Sequence, residues 1–516
     1  MKSAPGEQSE AHSTAVTIAE RLRRLPRQLL RRSPFQGDIA PSRVPLFAPF
    51  SGRPTLPFPT PWNYHRPLDL LSTYYHGAER LEGAARHSRY LEVPGFSPVL
   101  VTRDPRVIRA IASETGDKPG QFDRDTLPTG GIARATGADT LLYANGATWK
   151  RQKRLSTPPF ARTTLFQPEY FSEFEVTFRQ TVGQRLAALR ERLSREPGPL
   201  RVELAPEIEA VMLEMLVNNF FGAQVPYRQI REKYAPALAR IIHHIVRDTV
   251  VNKTGCPMHR LPTLTRGIAS AKAAQADFEE LTDLAIAPRA AGKGLWKQFK
   301  SEADDKALRA NVMVFLAGAL EATTSYASWA IAHLARNALA QERVHAEVKD
   351  VNAYSPEALE KLTYLAAVLD ETLRLSPALY FLPRRATADT WVETTDGSRM
   401  FMPKGTHVLL DVWHANRHED HWGEAVTGYP AMQFAPERWQ ALSKEAKSAK
   451  DLLHFGFGHG PRFCPGKSLG QLEVALVVGA FVKLFRFRAM DPALHARAGV
   501  STKPGDRVSV QLELRP

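Results

Sequence analysis

The chain of 516 residues contains only two cysteines, Cys256 and Cys464. That count excludes a disulfide framework and fits a reducing, cytoplasmic setting. Long apolar runs are missing as well. The best two, 312–320 and 474–482, reach about half of the roughly 20 residues a bilayer-spanning helix needs. There is no zinc-finger spacing, no RNP-like aromatic motif and no basic low-complexity tail. Nucleic acid is therefore a poor explanation of the net charge of +14. An acidic protein partner, steered by opposite charge, explains it better. No internal repeat occurs. With 43% hydrophobic and 24% charged residues, the composition is that of a globular protein with a large core.

Residues 1–60 read as a flexible lead-in, first basic and then proline-rich. Six arginines fall between Arg21 and Arg32, with Leu22, Leu25 and Leu29 on one side of a short helix that Pro26 interrupts. Segment 16–32 is a candidate for peripheral contact with an anionic membrane. A transit peptide is the rival, disfavoured by Glu7, Glu10 and Glu20; a solvated arm is the third reading. Eight prolines in 34–61 make an extended lead-in rather than a domain.

Residues 61–516 give no reason to divide the chain. Strands are expected at 89–93 and 98–102, followed by Asp104 as an N-cap and Pro105 at the first helical position. Residues 115–145 read as a long loop rich in Gly, Thr and Asp, with room for one short helix. Amphipathic helices fill 165–290, and 305–340 is the longest helical pattern.

The densest chemical signal is the run Phe457-Gly-His-Gly-Pro-Arg-Phe-Cys-Pro-Gly466. Its glycines permit tight turns and close approach to a flat partner. Pro465 suits the first position of the apolar helix that follows, which would make Cys464 its N-cap. There the sulfur would meet free N–H groups and the positive end of a helix dipole. A lone thiolate beside an open planar space is what an axial haem ligand requires. The order and spacing of Phe457, Gly460, Arg462, Cys464 and Gly466 resemble the haem-ligand loop of the cytochrome P450 family, in its soluble bacterial-like form.

That resemblance extends from Trp149 to Gly466. It implies a mainly α fold with small β-sheets: a single triangular domain, its long central helix lying over a haem b (iron protoporphyrin IX). Cys464 would be the metal ligand. Trp149, with Lys153 four residues on and Arg154 beside it, resembles the family's propionate-binding motif, lysine replacing the usual arginine. Arg384, with Arg385 as rival, and Arg462 would be further propionate partners. Glu371 with Arg374, and Arg438 in Phe434-Ala-Pro-Glu-Arg-Trp439, would form a buried charge network beneath the haem.

In the long helix, Ala317-Gly-Ala-Leu-Glu-Ala-Thr-Thr-Ser325 resembles the family's oxygen-side motif with one departure. An acid and a hydroxyl there relay protons to reduced dioxygen. If Glu321 holds the acid position, Ala322 stands where the relay threonine belongs; if Thr323 holds the threonine position, the acid is displaced by one. Spacing to Ser325 and Trp329 favours the first register, so Glu321, Thr323 and Thr324 are the catalytic candidates.

The resemblance further implies monooxygenation of a small apolar substrate, with electrons from a ferredoxin or flavodoxin and its reductase. The Ala322 departure keeps open a peroxygenase or isomerase needing no external electrons, and a non-catalytic haem sensor.

Overall fold

Helix Asp305–Leu334 contains no proline, is rich in alanine and has 30 residues, about 45 Å at 1.5 Å per residue. It belongs to a computed structural model that describes residues 42–43, 67–75, 78–80, 82–92, 98–114, 121–126, 130–195, 198–251, 266–292, 294, 305–442 and 454–516. Val312, Met313, Val314 and Phe315, which point in turn to successive sides of it, are all buried. A helix apolar all round belongs inside a larger core. It packs on Ala205–Glu214, on Arg266–Ile286 and on Lys467–Leu484, the helix after the cysteine loop. The helix stops at Leu334, short of the expected 340. Asn337 accepts a hydrogen bond from the Ala340 N–H and caps a new helix, Ala338–Val348.

The six-stranded sheet orders its strands as Ser42–Arg43, Ser88–Glu92, Val99–Thr102, His407–Leu410, Leu382–Ala386 and Phe122–Arg124. Ser88–Glu92 and Val99–Thr102 pair antiparallel, within a residue of expectation. Asp104 accepts from the N–H groups of Arg106 and Val107, with Pro105 inside the first turn. Val107, Ile108 and Ile111 pack against Leu100, Val408 and Leu410 to give this lobe its own core. A second sheet joins Phe485–Ala489, Ser509–Leu514 and Leu200–Glu203. There Phe485 and Phe487 point inward while Arg486 and Arg488 stay exposed, the alternation of a half-buried strand.

The stretch 115–145 holds the short helix, Gly130–Thr136, and also a strand that was not expected, Phe122–Arg124. The strand exists because Arg124 pairs with Arg384 and Phe122 with Ala386, a long-range partnership that local periodicity does not reveal. The lead-in expectations, including segment 16–32, lie outside the described residues apart from Ser42–Arg43. Among the described residues no helix is long and apolar enough to cross a membrane.

Glu371, Arg374 and Arg438 are fully buried together. Arg374 forks onto both Glu371 oxygens at 2.8 and 2.7 Å. Arg438 Nε reaches Glu371 Oε1 at 3.4 Å and Trp439 Nε1 donates to Oε2 at 2.9 Å. The network is complete, which is the condition for tolerating buried charge.

Candidate functional site

The Cys464 N–H donates to the Phe457 carbonyl at 2.9 Å and closes the loop. Gly458 and Gly460 have φ of 77° and 70°, where glycine alone is unstrained. A Cβ on Gly460 would also collide with the Ala112 carbonyl. Gly466 differs: its φ is −82°, and it is the N-cap of Lys467–Leu484. The expected cap at Cys464 is thus two residues early. Pro465 and Gly466 are used in a turn that brings the Lys467 N–H to 3.4 Å from the Cys464 carbonyl, before helical bonding begins.

The Gly466 N–H and the Lys467 charge both favour a thiolate at Cys464, but burial outweighs them and pushes the thiol up to about 11. Cys464 nevertheless keeps accessible surface. A metal taking this sulfur removes its proton outright. A Cβ on Gly466 would lie 3.8 Å from Cys464 Sγ and 3.9 Å from the Phe160 ring. Phe160 meets Phe315 of the long helix edge-on at 5.1 Å, and Phe457 meets Tyr326 at 6.3 Å. Aromatic rings thus connect the cysteine loop to the long helix.

Three arginines converge near the loop. Arg384 is fully buried and stands opposite Arg124 across the strand pair. Arg462 Nη2 donates to Asn145 Oδ1 at 2.6 Å, the Ala144 carbonyl at 2.9 Å and Asp123 Oδ1 at 3.3 Å. Among the described residues, Nε of Arg124, Nε of Arg384, and Nε and Nη1 of Arg462 are buried without an acceptor. Burial pushes Arg384 well below the usual arginine range, with the Arg124 and Arg462 charges adding to it. Burial and Arg124 likewise push Arg462 down to about 10. Arginine parts with its proton so reluctantly that an anion, not deprotonation, is the natural remedy.

Trp149 is buried with the Arg462 guanidinium 4.4 Å from its ring centroid and Lys153 Nζ at 5.1 Å. Lys153 Nζ also donates to the Pro461 carbonyl at 2.9 Å. Arg154 does not join them. Adjacent helical residues diverge by about 100°, so with Lys153 turned toward the loop, Arg154 stands exposed. Of the two rivals, Arg384 shares the charge cluster, while Arg385 pairs across the strand with Asp123 and lies near Gly405. Arg124 is the residue sequence reasoning missed; only its pairing with Arg384 exposes it.

On the long helix, Gly318 is exposed and Ala319 and Ala322 are half-buried amid buried neighbours. A Cβ on Gly318 would touch nothing within 4 Å. This small-residue face borders open space. Glu321 leaves it on one flank: Oε1 accepts from Lys503 Nζ at 2.8 Å and Oε2 from Ser501 Oγ at 2.5 Å. Thr323 lies on the opposite flank, its methyl 3.7 Å from where a Cβ on Gly470 would sit in the cysteine helix. Its hydroxyl donates back to the Ala319 carbonyl at 2.8 Å, which loosens a helix locally. Thr324, about 200° round from Ala322, faces away from this space into a separate cavity of 60 Å³ shared with Glu209 and Ser328. Glu321 is thus held by Lys503 and Ser501, far along the chain where helical spacing is blind, and Thr324 faces away from the small-residue face.

A macrocycle bearing two carboxylates and a central metal fits these residues. Cys464 would hold the metal through its sulfur, and the guanidinium N–H groups that lack an acceptor among the described residues would donate to the carboxylates. The cytochrome P450 family model matches residues 88–496. Cytochrome P450 52A3-B of Candida maltosa is 25% identical over 448 residues, covering 77% of this chain and 77% of its own. Cytochrome P450 monooxygenase alt2 of Alternaria solani is 26% identical, covering 79% of each chain. Cytokinin hydroxylase of Arabidopsis thaliana is 26% identical, covering 83% of this chain and 81% of its own. The family match takes in the arginine cluster, the long helix and the cysteine loop alike, and the chain belongs to the cytochrome P450 family of haem-thiolate monooxygenases.

Proposed function

We propose that residues 61–516 form a haem b domain that hydroxylates a small apolar substrate, with 1–60 as a lead-in and electrons delivered in the cytoplasm by a separate ferredoxin or flavodoxin with its reductase. The observation carrying this reading is the pairing of the enclosed Cys464 sulfur with the guanidinium cluster of Arg124, Arg384 and Arg462. Haem b is favoured over a covalently attached haem because the chain has no C-x-x-C-H motif.

When bound, haem supplies the reductive activation of dioxygen, one atom entering the substrate and the other leaving as water. The chain does the rest. Cys464 would hold the metal and donate electron density to it. Arg124, Arg384 and Arg462, with Trp149 and Lys153, would hold its carboxylates. Gly318, Ala319 and Ala322 leave room for an apolar molecule beside the long helix. Thr323 is the hydroxyl that passes protons, since it borders this face on the side of the cysteine helix. Exposed Lys150, Arg151, Arg154 and Lys467 form the basic docking surface for an acidic electron donor.

Glu321 carries the second reading. Held by Lys503 and Ser501, its carboxylate is turned away from the open face, as a peroxygenase that takes its oxidant already protonated would allow. The ferrous–CO spectrum tests the haem-thiolate claim, with a red-shifted Soret band expected and a histidine-like band contradicting it. Turnover with ferredoxin and its reductase, set against turnover with hydrogen peroxide, separates the two enzyme readings. Product formed only with peroxide would overturn the first.

A further inference from the structure

Three histidines cluster in the β lobe, where neither the haem nor the substrate face has any use for them. His87 ends the short helix Ala84–His87 at the start of strand Ser88–Glu92. His418 caps Glu419–Trp422, and His421 lies within that turn. Ring centroids are 4.7 Å apart for His87 and His418, and 5.7 Å for each of the other pairs. We propose that His87, His418 and His421 are the ligands of a structural zinc site that fastens the outer part of the β lobe to the segment leading into the Glu371 network.

One nitrogen from each ring lies within 4.8 Å of the others. Tetrahedral zinc with Zn–N bonds of 2.0–2.1 Å needs nitrogens about 3.3 Å apart, a closure that small side-chain rotations supply. Asp420 explains which nitrogens bind. Its Oδ2 is 3.4 Å from His87 Nε2 and 3.6 Å from His418 Nδ1. With a proton on each of those atoms, one carboxylate orients both rings from behind, the usual support of a metal-bound imidazole. That leaves His87 Nδ1, which is buried without a hydrogen-bond partner among the described residues, and His418 Nε2 to bind the metal. In exchange His418 gives up a 3.2 Å bond from the Asp420 N–H to Nδ1.

The electrostatics permit a cation. Burial, with the Arg103 charge behind it, lowers His87, and burial takes His418 down to about 3, so both rings are neutral ligands at pH 7. Arg86 and Arg103 look unfavourable, but Glu79 holds both, at 3.2 and 2.7 Å. Asp420 also takes Arg86 at 3.1 Å, and Asp104 acts on His87 as a third carboxylate. Two guanidiniums thus face three carboxylates before any metal arrives. The joint is well placed for a fastening: Arg374 donates to the Asn416 carbonyl at 2.8 Å and Arg438 to that of Trp422 at 2.6 Å, on either side of the histidines.

The test uses the tag-free haem protein, freed of metal by a chelator and titrated with zinc chloride in a calorimeter. The expected result is one zinc per chain, with binding at least 100-fold weaker in the His87→Gln, His421→Gln double variant. The CO band of that variant reports its fold. Asp420→Asn changes only the supporting carboxylate and should weaken zinc 10- to 100-fold at unchanged stoichiometry. Wild-type protein that takes up no stoichiometric zinc, or variants that bind it as tightly as wild type, would overturn the assignment.

Discussion

Two groups of buried arginines in this protein have opposite balance sheets. Arg374 spends its N–H groups on both Glu371 oxygens and on the carbonyls of Asn416, Ala431 and Gln433. Arg438 does the same with Glu371, Trp422, Tyr429, Pro430 and Gln433. Arg384, equally buried, reaches the Pro383 carbonyl next to it while its Nε meets no acceptor among the described residues. Arg124 and Arg462 share that deficit, with Asp123 as the facing carboxylate. A complete network holds a scaffold together. An incomplete one, buried at comparable cost, marks where a ligand's charge completes it.

Breaking the complete group should have the largest effect. Arg374→Ala takes the two-pronged partner from buried Glu371, leaving it only the longer Arg438 contact as a charge partner, and should cost about 3–5 kcal/mol, read as loss of folded protein on urea titration. Breaking the incomplete group should leave the fold alone. Arg384→Leu removes a buried unpaired charge, so the haem-free protein should be as stable as wild type or more so. Haem retention should fall by about 10- to 100-fold, the 1.5–3 kcal/mol of a charge-assisted hydrogen bond, measured by transfer to apomyoglobin. Equal damage to both properties would erase the distinction.

Glu473 sharpens the comparison from the acidic side. It is as buried as Glu371 but has no arginine, and burial pushes it up to about 8. The folded state therefore keeps a proton that the unfolded chain releases near pH 4.3. Stability should fall as pH rises from there to about 8, by up to about 1.4 kcal/mol per unit. Glu473→Gln should flatten that slope in denaturation curves at pH 6 and pH 7; an unchanged slope would place the titration elsewhere. The smallest effect belongs to Thr324. Its buried hydroxyl has no partner among the described residues, so Thr324→Val should shift stability by less than about 1 kcal/mol, in the favourable direction. Thr323→Val, by contrast, should divert electrons to peroxide or water, measured as product formed per reductant consumed.

The sequence showed what lies within a few residues. The loop around Cys464, the Glu371–Arg374 pair three apart, and the Phe434-to-Trp439 run each carry their chemistry in local spacing. Arg124 was hidden because its partner Arg384 is reached only across a three-residue strand. The pairing of Glu321 was not legible in its own helix because Lys503 and Ser501, which take its oxygens, lie nearly two hundred residues further on. Lys153 was legible by its spacing of four from Trp149, which puts both on one helix face and turns the adjacent Arg154 away.

The central claim is that the arginine cluster near Cys464 is completed by the two carboxylates of a haem. The direct measurement is reconstitution of the haem-free protein with iron protoporphyrin IX and, separately, with its dimethyl ester, which keeps the ring and metal but carries no free carboxylate. The account predicts tight binding of the free acid, binding of the ester weaker by two or more such charge-assisted bonds, and near-equal affinities in Arg384→Leu, Arg462→Leu protein. Equal affinity of the wild-type protein for both porphyrins would contradict it.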